Sequence, residues 1–420
     1  MLNEREQQLS EVLLSMAETL DIPPSKYKQA TERYKAVGLW LEDGQYDGCT
    51  GKPAVGPQGS FRLGTVVRPL RNGKEADYDI DLVCELSQAR AATTPANVKT
   101  SVGDRLKENP DYNRMLDKEG RRCWTLQYAE QDVIVFHMVV LPSVPDPDLG
   151  RETTTVHEVP WQYARHVIAI TEKHKHAGTY SWRKGGSNPT GYAEWFDSAN
   201  QPLFDKVAGR QKQLLVERHG SIYCSVEEVP NALVRTPLQR AIQLLKRHRD
   251  MRFLGHRWEA DKPISMIITT LAARTYENEG DVYTALMGIV HRLERFAILL
   301  RPGAVLGEDI QDRLIEKRED RWYIPNPVNP GENFADRWNE PDSHKADAFF
   351  RWVGWVKNDI QAAVDASDME EAKLILTPSF GKRVSEAAIP AHNASAVSRS
   401  AYPRLVVLNP TKPWSPDACR

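Results

Sequence analysis

No stretch of this 420-residue chain stays apolar for the roughly 18–20 residues that a helix needs to span a bilayer. The opening MLNEREQQLS lacks the charged-then-apolar order of a secretory signal. The protein is therefore expected in the cytoplasm. Cysteine is scarce: Cys49, Cys84, Cys123, Cys224 and Cys419 stand apart with no CxxC spacing, which excludes a zinc ribbon or a disulfide framework and leaves reduced thiols. There is no surplus of one charge either. Lys plus Arg number 55 against 57 for Asp plus Glu, a net charge of −2, so the surface as a whole is not built to neutralise nucleic-acid phosphates. No internal repeat is present.

What the chain does have is length for two lobes with a cleft between them. Leu9, Val12, Leu13, Met16 and Leu20 recur at helical spacing, as do Tyr27, Ala30, Tyr34, Val37 and Leu41 after the Pro23-Pro24 break. Between residues 55 and 142 the pattern changes to a Gly-rich turn and short β-branched or alternating runs, at 78–86, 122–128 and 133–141. A helix is expected over 161–177 and a Gly/Ser/Asn/Pro loop over 182–191. From Leu238 onward the chain reads as almost wholly helical, interrupted by a Pro/Asn-rich loop at 324–331. The Ala/Ser-rich segment 387–402 reads as a linker. The expectation is an α+β protein: a sheet-bearing lobe over 1–220, a helical lobe over 221–386, and a tail over 387–420.

The chemistry concentrates in Pro57-Gln58-Gly59-Ser60-Phe61-Arg62-Leu63-Gly64-Thr65, followed by Asp77-Tyr78-Asp79-Ile80-Asp81-Leu82-Val83. A Gly-Ser turn offers backbone N–H groups and a hydroxyl to a triphosphate. Alternate side chains of a strand share a face, so Asp79 and Asp81 project together, and their mutual repulsion calls for a cation. In phosphoryl transfer by two metal ions, one ion acidifies the attacking hydroxyl and the other stabilises the triphosphate. Asp77 has the same parity but precedes the apolar flanks, and is read as loop. A bare DxD is more often an acidic strand end in water; the preceding Gly-Ser turn and the apolar Leu82-Val83 continuation favour the metal-binding reading. Two other features carry less. His174-Lys175-His176, on the expected helix, splays its rings too far apart to share an ion. Trp338, Phe349, Phe350, Trp352 and Trp355 suit a buried helix face.

On these residues the chain resembles the bacterial cyclic-GMP-AMP-synthase-like and DncV-like nucleotidyltransferases. The resemblance extends through 25–41, Ser187-Asn188-Pro189-Thr190-Gly191-Tyr192, the helical run 238–249, Lys262-Pro263-Ile264-Ser265 and Asn326-Pro327-Val328-Asn329-Pro330. It implies a polymerase-β-like core that makes cyclic oligonucleotide messengers from ribonucleoside triphosphates in anti-phage defence. It further implies two Mg²⁺ ions, with Mn²⁺ as a substitute, on Asp79 and Asp81; Gly59 and Ser60 on the triphosphate; and Lys246 and Ser265 as further triphosphate contacts. Arg240, Arg247 and His248 are expected in solvent. Implied partners are conjugating or regulatory proteins of the same defence system and an effector that reads the product, with no membrane and no obligate nucleic-acid template.

One position breaks the pattern. The family's third carboxylate stands just before a short apolar stretch ending in Pro; here that stretch reads Phe136-His137-Met138-Val139-Val140-Leu141-Pro142, with Val139 in the acid's place. Asp132 lies seven residues back, roughly 23 Å along an extended strand. Two alternatives follow: a weakly active or non-catalytic nucleotide-binding relative, and an enzyme that adds nucleotides to RNA, which the near-neutral charge disfavours.

Overall fold

The computed structural model describes residues 2–68, 70–71, 74–75, 78–130, 133–174, 178–307 and 313–386. Asp77, Asp132, Lys175, His176 and the tail with Cys419 lie outside them. Helix starts follow from local side chains. Asn3 with Glu6 forms a reciprocal capping box on α1 (Glu4–Glu18), answering backbone N–H groups that a helix start leaves open. Proline at the first turn, where its missing N–H costs nothing, opens α2 (Pro24–Glu42), α4 (Pro95–Glu108), α5 (Pro189–Arg218) and α6 (Pro237–Phe253). Between α2 and α4 lies a single turn, α3 (Gly59–Arg62). The helical lobe continues through α7 (Ser265–Thr275), α8 (Val282–Glu294), α9 (Lys345–Asp365) and α10 (Met369–Phe380).

The main sheet has six strands: β1 (Ala54–Gln58), β2 (Tyr78–Glu85), β3 (Trp124–Glu130), β4 (Val133–Pro145), β5 (Ile168–Lys173) and β6 (Tyr180–Trp182). Their order is β1-β2-β4-β5-β6, with β3 also paired to β4. Only β2 and β4 run parallel; the other pairings are antiparallel. A parallel pair needs a long crossover, and α4 lies in that connection, with Val98, Val102 and Leu106 in the core shared with the sheet. Tyr78, Ile80, Leu82 and Cys84 alternate into this core, which leaves the odd-numbered residues of β2 on the opposite, open face. Burying each large aliphatic side chain contributes about 2 kcal/mol.

The expected helix over 161–177 is not formed. One helical turn, Trp161–Ala164, gives way to β5, because the β-branched run from Ile168 pairs with Ser143–Pro145 of β4 and is buried against the sheet. His174 therefore follows a strand. The helical region is also less uniform than expected, since the Pro/Asn-rich loop is the small hairpin Pro325–Asn326 with Asn329–Asn333.

The two cores do not follow chain order. Leu9, Leu13, Met16 and Leu20 of the N-terminal segment pack with α6 to α10, whereas Tyr27, Ala30, Val37 and Leu41 of α2 pack with the sheet. At the centre of the helical lobe α6 is buried on nearly every side. This overturns the expectation that Arg240, Arg247 and His248 are solvated. Each finds a partner that offsets its desolvation: Arg240 donates to Asp21 at 2.7 Å, Arg247 to the Phe380 carbonyl at 2.9 Å, and His248 lies 3.0 Å from Asp359 while accepting from the Trp352 indole. Trp338, Phe349, Phe350 and Trp352 are core, as read from their spacing.

Candidate active site

On the open face of β2, Asp79 is exposed and Asp81 half-buried. β1 brings the Gly-Ser turn alongside, because Gln58 stands opposite Asp81 and the next residue begins α3. Gly59 has φ +62°, and a Cβ there would sit 2.7 Å from an Asp81 carboxylate oxygen. Only glycine lets the turn approach the acid this closely. Burial, with the negative charge of Asp79 adding to it, pushes the Asp81 carboxyl up to about 6. Two acids so placed repel each other, and a cation between them would relieve both charges.

The parallel register sets Asp79 beside His137 and Asp81 beside Val139. Val139 thus stands next to the acid pair, at the place the family's third carboxylate is expected, and adds no ligand. His137 is the side chain that the sequence reading passed over. Its Nδ1 lies 3.3 Å from Asp79 Oδ1. Counting back by two from Val139 would have placed it on the acid face. Among the described residues no group of three His, Cys, Asp or Glu side chains is arranged to hold a metal ion. The donors that remain, two carboxylates, suit a hard cation that completes its shell with substrate phosphates and water.

The turn is held from the other lobe. Gln239 donates to the Leu63 carbonyl at 2.9 Å, Gln243 to Val66 O at 3.1 Å, and Lys246 Nζ to Thr65 O and Oγ1 at 3.1 and 3.0 Å. Residues 239, 243 and 246 share one face of α6, so three successive rungs grip the segment after α3. The Thr65 N–H in turn donates to Ser60 O at 3.0 Å. Lys246 is buried, and desolvation together with the nearby Arg249 lowers its ammonium to about 7. It is buried rather than at the flank of an apolar stripe, and supports the turn from beneath. Ser265 opens α7 as expected and is exposed, its hydroxyl accepting from Arg249 at 3.1 Å. The structure therefore brings Asp79, Asp81, Gly59 and Ser60 together directly and ties Lys246 to them through Thr65. Among the described residues no hydrogen bond or ion pair joins Ser265 to the acids.

Residues 53–136 match the family of the cyclic GMP-AMP synthase DncV-like nucleotidyltransferase domain. Over this segment the chain is similar to the DncV-like nucleotidyltransferases. The chain is 28% identical to a c-di-GMP synthase of Roseivirga ehrenbergii over 376 residues, 89% of this chain and 84% of that protein. It is 25% identical to the cyclic dinucleotide synthase CdnG of Bradyrhizobium diazoefficiens over 399 residues, 92% and 83% of the two. In fold it is similar to the solved structure of that CdnG in complex with GTP, at a TM-score of 0.64 and 21% identity over 92% of this chain and 99% of the other. It is also similar to Escherichia coli MS115-1 CdnC with ATP, at a TM-score of 0.55 and 16% identity over 88% and 97%. The α+β fold is thus shared with both solved structures. Among the described residues, no helix of the chain is long and apolar enough to cross a membrane.

Proposed function

We propose that this chain is a template-independent nucleotidyltransferase that joins ribonucleoside triphosphates into a cyclic oligonucleotide messenger for anti-phage defence. One observation carries the reading: Asp79 and Asp81 share an open sheet face with the Gly59-Ser60 turn pressed against Asp81. The activities named for the Roseivirga and Bradyrhizobium relatives, both cyclic dinucleotide synthases, support it. In this reading Asp79 and Asp81 hold the divalent cations, two Mg²⁺ ions with Mn²⁺ as a substitute. The cations supply acidity to the attacking hydroxyl and charge relief to the triphosphate. The chain's own residues bind and orient. Turn amides at Gly59 and Ser60, with the Ser60 hydroxyl, face the phosphates. Lys246 contributes its charge from beneath the turn, reaching the phosphates by exchanging its Thr65 bonds, and Ser265 does so by giving up Arg249. Regulatory partners belong to the proposal too, since a solved complex pairs the E. coli CdnC with a HORMA protein.

Val139 favours a second reading, in which the chain binds nucleotides and turns over slowly or not at all, because an apolar side chain stands next to Asp81 where the family places its third acid. Incubation with the four labelled ribonucleoside triphosphates and Mg²⁺, followed by phosphatase, separates the readings. A phosphatase-resistant small product supports synthesis. Binding without product supports the second reading, and incorporation only in the presence of RNA would sink both in favour of an RNA-modifying enzyme.

A further inference from the structure

The chain leaving α6 turns back on itself and sets an indole beside α9. Gly255, at φ +68°, makes the bend, and its N–H donates to Glu259 at 3.0 Å. The Trp258 N–H donates to His256 Nδ1 at 3.1 Å, and the Trp258 carbonyl accepts from the Asp261 N–H at 2.9 Å. Around the ring stand Arg351 of α9, its guanidinium carbon 4.2 Å from the ring centroid, Arg257 at 5.0 Å, and His344, stacked at 5.5 Å with planes 15° from parallel. We propose that this cluster binds a small phosphate-bearing anion.

The two arginines point to an anion. A guanidinium over an aromatic ring is held through its charge, and its N–H edge stays available. Arg257 and Arg351 are both exposed, and among the described residues neither has a hydrogen bond or an ion pair. For Arg351 a partner is at hand. Asp347, also exposed, stands four residues earlier on α9, the spacing at which an acid and an arginine ordinarily pair. Arg351 lies over Trp258 instead. The other charged groups nearby are engaged: Glu259 on the Gly255 N–H, Asp261 on Lys345 at 3.0 Å, and Arg252 on Asp359 at 3.5 Å. The Trp258 indole N–H has no acceptor among the described residues either. Both guanidinium carbons lie within 5.0 Å of one ring centre, so a single ligand can meet all three sets of donors. Their number selects the anion. Two guanidinium forks and an indole N–H exceed what the two oxygens of a carboxylate accept, whereas a phosphate monoester brings three oxygens and nearly two negative charges. The ring selects against a nucleic-acid strand, since base stacking needs an open aromatic face and this one is covered by Arg351 and His344. Free phosphate and a nucleoside monophosphate share the required chemistry.

The test follows the Trp258 indole N–H signal by NMR in the full chain, assigned by its loss in Trp258→Phe. Inorganic phosphate and AMP, added without divalent cations at constant ionic strength, should each move the signal to saturation. The tighter of the two identifies the source. Adenosine and acetate should leave the signal in place, and the Asp79→Asn/Asp81→Asn variant should respond as the wild type does, which separates this site from the acid pair. Affinity should fall about tenfold or more in Arg257→Gln and in Arg351→Gln, the loss expected for a hydrogen bond to a charged group. Arg257→Lys should recover only part of it, because an ammonium keeps the charge and loses the fork. No saturation with either phosphate, an equal shift with acetate, or undiminished affinity in the folded glutamine variants each overturns the proposal. So does an arginine-dependent affinity for single-stranded RNA far above that for AMP, which would make this face a strand-binding surface. Thermal melts establish folding, and Arg257, exposed on the loop outside any long helix, supplies the readout if Arg351→Gln unfolds.

Discussion

Asp81 is a carboxylate placed where its charge is disfavoured. Its ordinary value lies near 4 and the fold raises it to about 6. The sign follows from which form the fold prefers. Below about pH 4 the group is protonated both folded and unfolded, so burial costs nothing. As pH rises towards 6 the unfolded chain ionises first, and above 6 the whole penalty falls on the folded state. Asp81→Asn should therefore raise the melting temperature of the cation-free protein at pH 7 and leave it nearly unchanged at pH 4. Adding Mg²⁺ at pH 7 should stabilise the wild type more than the variant. An equal gain at both pH values would show that the carboxylate carries no such penalty. Asp79→Asn with Asp81→Asn should abolish Mg²⁺-dependent product while the protein stays folded. Val139→Asp, beside Asp81 in the register, should raise product formation at least ~100-fold, the low end of what a positioned acid–base group contributes. Thermal melts must show that the variant is folded, and unchanged low activity would mean that the missing acid is not what limits turnover.

At the scale of elements, periodicity was legible where one face of a segment decides its structure. The apolar alternation around Asp79 and Asp81 gave the strand, whereas Val139 was marked by the family resemblance alone and only the strand register sets it beside Asp81. The same reasoning failed over 168–173, since the buried run 168–171 carries no alternation to distinguish it from a buried helix. It failed again on α6, where long-range pairing with Asp21, Asp359 and Trp352 buries residues that a helical wheel puts outside. The rungs Gln239, Gln243 and Lys246 were hidden for that reason, because their acceptors are backbone carbonyls and carry no sequence signal. Lys246→Met should leave the buried Thr65 carbonyl without its donor and cost about 1–3 kcal/mol in urea unfolding. Triphosphate binding should weaken more than nucleoside binding. If both weaken equally, the lysine acts only on the fold.

For the whole molecule, the turn that presses on Asp81 is assembled by both lobes. Amide exchange at Thr65, whose N–H is spent on Ser60, should follow the opening of α6 rather than of the sheet. Gln243→Ala should accelerate exchange at Thr65 and leave Ile80 and Leu82 protected; acceleration throughout the sheet would mean that the lobes open as one unit. The rungs also set an order in time. They join residues 176, 177 and 181 positions apart. At about 5–20 residues per second on the ribosome, the turn waits roughly ten to thirty-five seconds for the helix that grips it. A nascent or prematurely terminated chain that stops short of residue 239 carries both aspartates and the Gly-Ser turn, yet none of the three rungs that grip the segment after α3. If the chain makes a messenger as proposed, synthesis of that messenger would wait until translation has passed residue 246 of 420.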